Sequence, residues 1–335
     1  MIPALLGFLA SGAVIVAAGT ALAKSGDAIA EHTRLGRVWI GSVLLAGATS
    51  LPELTTDVAA VRLGVPDLAA GDLFGSSLAN MLLLALLGLL PPAGRIFREA
   101  SFDHAMAASL AIILNGLGAL FVLAHTERTL LGAGPESALL LIVFVFGTRA
   151  VYLHTVGKPG PPATEASSHR EQGAKTSLRR ALAVFALAAA GIFIAAPYFA
   201  ASAKQIAEMS GLGMTFVGTL LVGLSTSLPE FVTSFAAVRL GAIDLAVGNL
   251  FGSNAFNMSI FFAMDLAHPG GSVFGALEPV HAVTGLFAVI LTTLGLAAIL
   301  FRSKRRFPLL EPGSILMLLG YFTAIGLLYA YTSGI

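Results

Sequence analysis

The sequence contains no cysteine and few charged residues. Of its 335 residues, 11% are Asp, Glu, Lys or Arg and 56% are hydrophobic, whereas soluble domains carry about 25% charged residues. The absence of cysteine excludes disulfide bonds, thiolate catalysis and thiolate metal sites. The shortage of charge, combined with long apolar runs, is typical of an integral membrane protein embedded in a lipid bilayer.

The sequence also lacks the signature motifs of common enzyme classes. It has no P-loop, no HExxH, no GxSxG and no dinucleotide fingerprint in the required context. Its basic residues are spread over loops without interleaved aromatic residues, which disfavours nucleic-acid binding. We therefore expect neither an enzyme nor a nucleic-acid-binding protein, and no permanently bound cofactor.

Ten apolar stretches are each long enough to cross a bilayer, which takes about 20 residues. The first ends in a sequence that would suit signal-peptide cleavage, but no Lys or Arg precedes it, so we expect a retained helix. The segment 155–178 is rich in Pro, Gly, Ser and charge, and predicts a flexible linker. The predicted spans lie near residues 3–23, 38–62, 67–90, 102–124, 135–154, 181–203, 214–239, 244–267, 280–301 and 312–332.

The strongest signal is a stretch that occurs twice. Residues 49–81 align without a gap with residues 226–258 at an offset of 177, and 22 of the 33 positions are identical. The same offset relates further pairs outside this stretch, such as His104 and His281. The chain is therefore predicted to consist of two repeats of five helices. The boundaries are 1–155 for the first repeat, 156–178 for a cytoplasmic linker and 179–335 for the second repeat.

An odd number of helices in each repeat inverts the second repeat relative to the first, a common transporter architecture. If the N-terminus is outside, 16 of the 19 Lys and Arg residues fall on the cytoplasmic side, as the positive-inside rule requires. The predicted fold is an all-α polytopic membrane protein with ten transmembrane helices in two inverted-topology repeats. Helices 2 and 7, broken by proline, lie at its core, and both termini are extracytoplasmic.

Each copy of the repeated stretch begins with Thr-Ser-Leu-Pro-Glu, near the middle of a predicted span. Thr49 and Ser50 precede Glu53 by four and three residues, so their oxygens share one helix face. Pro52 lacks an amide hydrogen and loosens the carbonyls before it, which membrane proteins tolerate where they line a cavity. A carboxylate inside the membrane is usually functional, and no Lys or Arg lies centrally in any predicted span.

The second copy repeats this set at Thr226, Ser227 and Glu230. A single serine or threonine in a membrane helix more often bonds to its own backbone, but duplication of the whole set favours a binding site. Carboxylate, hydroxyl, amide and carbonyl oxygens together suit a hard cation, and Ca²⁺ takes six to eight of them. We predict that the two copies close around one cation site. The helix after each motif adds Ser76 and Asn80 in the first copy, and Ser253 and Asn257 in the second.

Other polar residues carry weaker signals. Asp72 is interpreted as an acidic residue at the end of an interfacial loop, in preference to a residue that lines an access path. His104 and His281 begin matching spans, and interfacial packing is favoured over proton transfer for both. Asp67 and Asp244 flank the short turns between motif helices and are interpreted as helix caps.

The motifs TSLPE at 49–53 and 226–230, with GDLFGSSLAN at 71–80 and GNLFGSNAFN at 248–257, resemble the two alpha-repeats of the cation/calcium exchanger superfamily. The resemblance is to its sodium/calcium exchanger branch and extends, as a five-plus-five plan, over nearly the whole chain. It implies an antiporter of Na⁺ inward against Ca²⁺ outward. Sliding of helices 1 and 6 across the core would switch access.

The resemblance also implies individual roles. Glu53 and Glu230 would form the central Ca²⁺ site, and the threonine and serine of each motif would contribute side-chain or backbone oxygens. The serine and the asparagine of each following helix would complete the Na⁺ sites. Some relatives, including potassium-dependent ones, carry Asp at the position of Asn257, so Asn here makes K⁺ less suitable and leaves the stoichiometry open. The other implied ligands are Thr49, Ser50, Thr226, Ser227, Ser76, Ser253, Asn80 and the backbone carbonyls of Ala46 and Gly223.

Two alternatives to Na⁺/Ca²⁺ exchange stay open at this point. The first is the same scaffold driven by protons or carrying another divalent cation, although the proton/calcium branch has an additional acidic motif where this chain has Asn80 and Asn257. The second is a passive cation channel, which the broken helices would suit. The sequence supplies no repeated ring of selectivity carbonyls for such a pore. The oligomeric state is equally open.

Overall fold

The structure is a computed structural model that describes residues 2–33, 35–89, 96–129, 132–155, 177–209, 226–301 and 311–333. Long α-helices make up most of this part of the chain, which confirms the predicted all-α membrane class. In the first half they are α1 (Ile2–Thr33), α2 (Arg37–Thr49), α3 (Leu51–Arg62), α4 (Pro66–Leu89), α5 (His104–Ala124) and α6 (Pro135–Thr155). In the second half they are α7 (Leu178–Met209), α8 (Leu228–Arg239), α9 (Ile243–Ala267), α10 (Val280–Phe301) and α11 (Pro312–Ser333).

Seven helices of the described residues are long and apolar enough to cross a membrane, or eight if α2 and α3 form one broken span. Helix α9 has 25 residues but carries three asparagines and two aspartates, which lower its hydropathy. Helix α8 is the described part of the predicted span 214–239. The count of ten spans and the proposed division of the chain stay predictions, because residues 156–176 and 210–225 lie outside the described residues.

The predicted break in the second span occurs at Ser50. Its φ of −91° and ψ of 7° leave the helical region, and α2 and α3 bend by 43° there. Pro52 lies in the first turn of α3, where a missing amide hydrogen breaks no bond. Ser227 has a φ of −82° and a ψ of 5° immediately before α8. The two motif copies therefore share one backbone device, a serine at the break followed by a new helix.

Helix α9 occupies the centre of the described bundle and packs against helices from both halves, including α2, α4, α5, α6 and α8. Its contact with α2 is unusually close. A methyl group on Gly252 would overlap the backbone of Ser42, and one on Gly248 would lie 3.0 Å from the Ser42 nitrogen. Ser42 belongs to a π-helical segment, Ile40–Leu45, that the sequence did not indicate. Glycine at both positions of α9 thus allows the backbones to approach.

Two His–Asp pairs join the halves at opposite ends of the bundle. His104 Nε2 lies 3.0 Å from Asp244 Oδ1, and His281 Nε2 lies 3.0 Å from Asp67 Oδ1. Each aspartate also accepts a 2.8 Å bond from a backbone amide of the other half. These two amides belong to Ser101 and Glu278. Every partner in one pair is 177 residues from its counterpart in the other, as expected for inverted repeats packed about a pseudo-two-fold axis.

The interpretation of Asp244 as a helix cap is therefore wrong, and Asp67 has a tertiary contact that the sequence did not indicate. Asp244 lies within the first turn of α9, whose N-cap position makes no side-chain hydrogen bond. A cap acts within its own helix, whereas both carboxylates accept hydrogen bonds from the opposite half of the chain. They hold tertiary contacts between the repeats.

We predict that Gly252→Ala destabilises the protein by about 1–3 kcal/mol, the usual cost of forcing a methyl group into a filled contact. Gly326→Ala in α11 is the matched control, because a methyl group there meets no described atom within 4 Å. Thermal unfolding in detergent should show a lower midpoint for the first variant only. Equal midpoints for both variants would contradict the close α2–α9 contact.

Candidate cation site

The two motif copies meet where their helices break. Ser50 Oγ donates to Glu230 Oε1 at 3.3 Å, and Thr49 Oγ1 donates to Asn249 Oδ1 at 3.3 Å. Glu53 and Glu230 both lie in the first turn of a half-helix, α3 and α8, and are close enough for their charges to interact. The structure therefore brings the first copy and the second copy into one polar centre.

Both glutamates are almost completely buried, with 1% of each exposed. One carboxylate oxygen of each, Oε2, has no hydrogen-bond partner within the described protein. An unpaired buried polar atom costs about 1–3 kcal/mol, and more when the group is charged. Further unpartnered buried atoms are the hydroxyls of Ser76, Ser227 and Ser253, the amide oxygen of Asn80 and both side-chain amide atoms of Asn257. Nearly all are oxygens, the atoms that a hard cation binds.

No ion pair within the described part of the chain involves Glu53 or Glu230. Nor do three or more His, Asp or Glu side chains of these residues converge as they would around a metal ion held by such side chains alone. Two carboxylates surrounded by neutral oxygens suit Ca²⁺ or Na⁺ better than a metal that prefers nitrogen ligands.

Two of the implied ligands differ from the rest. Thr226 Oγ1 donates to Asp72 Oδ1 at 3.1 Å, so its hydroxyl connects the site to a neighbouring acid. The carbonyl of Ala46 accepts a hydrogen bond from Ser50 N at 3.0 Å, and Thr49 Oγ1, which lies 3.3 Å from it, has one proton for either this carbonyl or Asn249. Gly223, its proposed counterpart, lies outside the described residues.

An asparagine that the sequence analysis missed positions one of the implied ligands. Asn254 Oδ1 accepts a 2.9 Å bond from Asn80 Nδ2, and Asn254 Nδ2 donates to the Ser77 carbonyl at 3.2 Å. Asn115 Nδ2 donates to the Asn254 carbonyl at 3.3 Å. Asn254 aligns with Ser77 of the first repeat, so the comparison of the two repeats recorded it only as a mismatched position. An asparagine inside an apolar span was the signal that could have found it.

Asp72 does not lie at the end of a loop, so that interpretation is wrong. It lies in the second turn of α4, half-buried, and accepts the hydrogen bond from Thr226. Nearby is Asp57 of α3, which is 1% exposed and which the sequence analysis did not identify. An acidic residue four positions after Glu53, on the same helix face, was the available signal.

The family model of the sodium/calcium exchanger protein matches residues 3–153 and 180–332. The chain belongs to the sodium/calcium exchanger family. This match confirms the resemblance seen in the two motifs. The family consists of membrane transporters and not enzymes. The exchanger is 31% identical over 238 residues to the putative antiporter CaxA of Alkalimonas amylolytica, which covers 69% of this chain and 70% of that protein.

A second relative is the sodium/calcium exchanger MaX1 of Methanosarcina acetivorans, 28% identical over 269 residues, covering 72% of this chain and 76% of that protein. Among solved structures, the sodium-calcium exchanger NCX_Mj soaked with Na⁺ and Ca²⁺ superposes with a TM-score of 0.70 at 22% identity. The match covers 97% of this chain and 98% of that one. At this identity, the structural match supports the exchanger fold.

Two asparagines one turn apart on α9 provide a matched pair of variants. We predict that Asn254→Ala lowers the unfolding midpoint, because it removes hydrogen bonds that cross the core. Asn257→Ala should leave the midpoint nearly unchanged, because neither side-chain amide atom has a hydrogen-bond partner among the described residues. The same variant should weaken Na⁺ or Ca²⁺ binding measured calorimetrically. If Asn257→Ala destabilised the exchanger and bound both ions normally, its assignment as a ligand would be wrong.

Proposed function

We propose that this exchanger moves Na⁺ into the cell in exchange for Ca²⁺ moved out, by alternating access at one mid-membrane site. The observation that carries the proposal is the set of buried, unpartnered oxygens around Glu53 and Glu230, to which both halves contribute. Two carboxylates neutralise one Ca²⁺, and this offsets the cost of burying all three charges. The neutral ligands would be Thr49, Ser50, Thr226, Ser227, Ser76, Ser253, Asn80 and Asn257.

Alternating access needs a moving part and a fixed part. Helices α1 and α7 pack chiefly against each other, for example through stacked rings of Phe8 and Phe199 at 4.3 Å. Exposed leucines of α1, such as Leu6 and Leu9, leave its outer face to lipid. These features support a two-helix unit that slides past the central bundle while the broken helices hold the ion.

Na⁺ as the driving ion is favoured by the neutral side chains beside the glutamates. Asn80 and Asn257 supply amide oxygens that bind Na⁺ without a change of protonation. An acidic residue in place of either asparagine would add a negative charge to the site. Because both positions carry neutral amides, the site can neutralise fewer cations at once. Transport of K⁺ together with Ca²⁺ is disfavoured for the same reason.

The proposal predicts Ca²⁺ uptake into proteoliposomes that depends on an outward Na⁺ gradient. Glu53→Gln and Glu230→Gln should each abolish this uptake, because an amide cannot neutralise the bound ion. Glu99→Gln is the control, since Glu99 is exposed on a short helix outside the site. Uptake that is independent of the Na⁺ gradient and depends on a pH gradient would show that H⁺ is the driving ion. Single-channel currents would show that the protein is a passive channel and not an exchanger.

The orientation of the chain follows from its charges, because the excess of Lys and Arg on one side supports extracytoplasmic termini in a prokaryotic plasma membrane. Because the chain has no cysteine, single cysteines can report sidedness. Leu63→Cys and Phe102→Cys are suitable, with Leu63 81% and Phe102 50% exposed. A membrane-impermeant maleimide applied to intact cells should label the first and not the second. The reverse labelling would invert the proposed topology.

A further inference from the structure

The polar centre is not symmetric along the ion path. Asp57 lies one helical turn beyond Glu53 on α3, and Asp72 lies one turn before Ser76 on α4. A turn spans about 5.4 Å. Because residues 63–65 join α3 to α4, both displacements run toward this same turn. The two acids therefore sit one layer away from the glutamates, on the side predicted to be extracytoplasmic.

The opposite side carries no such charge. At the offset of 177, Asp57 corresponds to Ser234 and Asp72 corresponds to Asn249. Asn249 Nδ2 donates to Ser234 Oγ at 3.0 Å and to the Glu230 carbonyl at 3.4 Å. This neutral pair satisfies itself by hydrogen bonding. The repeat thus places two acids on one side of the glutamates and a closed serine–asparagine pair on the other.

The two acids have unused ligand atoms. Asp57 is 1% exposed, and its Oδ2 has no hydrogen-bond partner within the described protein. Oδ2 of Asp72 is also buried and unpartnered, while its Oδ1 accepts from Thr226 at 3.1 Å. The two carboxyl groups lie on helices that pack together, within hydrogen-bonding reach of each other, and no ion pair of the described residues contains either. Two adjacent carboxylates in a low dielectric repel each other strongly unless they share a proton or a cation lies between them.

We propose that Asp57 and Asp72, together with the Thr226 hydroxyl, form a second cation site for a divalent ion such as Ca²⁺. The paired charge of the two carboxylates matches a divalent ion, and carboxylate and hydroxyl oxygens are its preferred ligands. Thr226 belongs to the motif of the central site and links the two positions. That this second site lies on the ion path rests on the proposed function. That Asp57 and Asp72 bind a cation does not depend on it.

The site would make the two faces of the exchanger unequal. A pair of buried acids on one side of the glutamates attracts cations from that side, and this attraction is strong because the surrounding dielectric is low. The neutral Ser234–Asn249 pair gives no such effect on the other side. Ca²⁺ would therefore load more readily from the side of Asp57 and Asp72 than from the opposite side.

The first experiment measures Ca²⁺ binding to the purified full chain in Na⁺-free detergent solution by calorimetry. In the Glu53→Gln/Glu230→Gln variant, which lacks both central carboxylates, we expect Ca²⁺ binding to persist. Adding Asp57→Ser and Asp72→Asn, the residues of the other repeat, should weaken it by roughly tenfold or more, since carboxylate count sets Ca²⁺ affinity. Adding Ser234→Ala instead should leave it unchanged.

Several outcomes would overturn the second site. Loss of all Ca²⁺ binding in the Glu53→Gln/Glu230→Gln variant would leave only the central site, and unchanged binding after the further substitutions would place the remaining ion elsewhere. If the four-residue variant does not unfold cooperatively, Asp57→Asn alone in the same background gives the same test with an isosteric side chain. Na⁺-independent flux would reject the proposed function and leave this binding result intact.

The second experiment measures sidedness. In proteoliposomes of known orientation, Asp57→Ser/Asp72→Asn should raise the half-saturating Ca²⁺ concentration on the extracytoplasmic face. On the cytoplasmic face, the value should stay near that of the parent protein. An equal shift on both faces would show that the two acids act on the central site and do not form a separate one.

Discussion

Two buried carboxylates, paired with no Lys, Arg or His of the described residues, dictate how the centre of this protein is built. Glu53 and Glu230 are buried, and each keeps an oxygen that no described side chain satisfies. An ionised group is costly at this depth, so the surrounding chain must supply conditions under which a cation binds. The neutral hydroxyls and amides around the pair meet this demand because they can share a cation without adding charge.

The backbone is arranged to deliver these oxygens. The break at Ser50, the proline that follows it and the π-helical segment before it place hydroxyls of one repeat against Glu230 of the other. Gly248 and Gly252 let α9 approach this irregular segment closely. Irregular backbone is tolerated in a membrane only when protein covers it or when it lines a cavity. The close contact at the two glycines therefore covers the irregular backbone before the helix break.

The two repeats share a plan but have exchanged residues at matching positions. His104 and His281 keep the same contact with an aspartate of the other half, because both ends of the bundle need the same closure. Near the ion path the matching positions differ. Asn254 stands where the first repeat has Ser77 and forms a hydrogen-bonded hub, and Asp72 stands where the second has Asn249. The scaffold contacts are thus the same in both repeats, whereas the residues on the two sides of the central glutamates differ.

The membrane class, the duplication, the break at the Thr-Ser-Leu-Pro-Glu motif and the family could all be predicted from the amino-acid sequence. All of these follow from composition and from residue spacing along the chain, and neither property depends on how the helices pack. Three contacts could be read from the folded chain alone: Asp67 and Asp244 join the repeats, Asn254 holds Asn80, and Asp57 lies close to Asp72. Those contacts unite residues from different helices, and the register between helices depends on side-chain packing that local pattern does not encode.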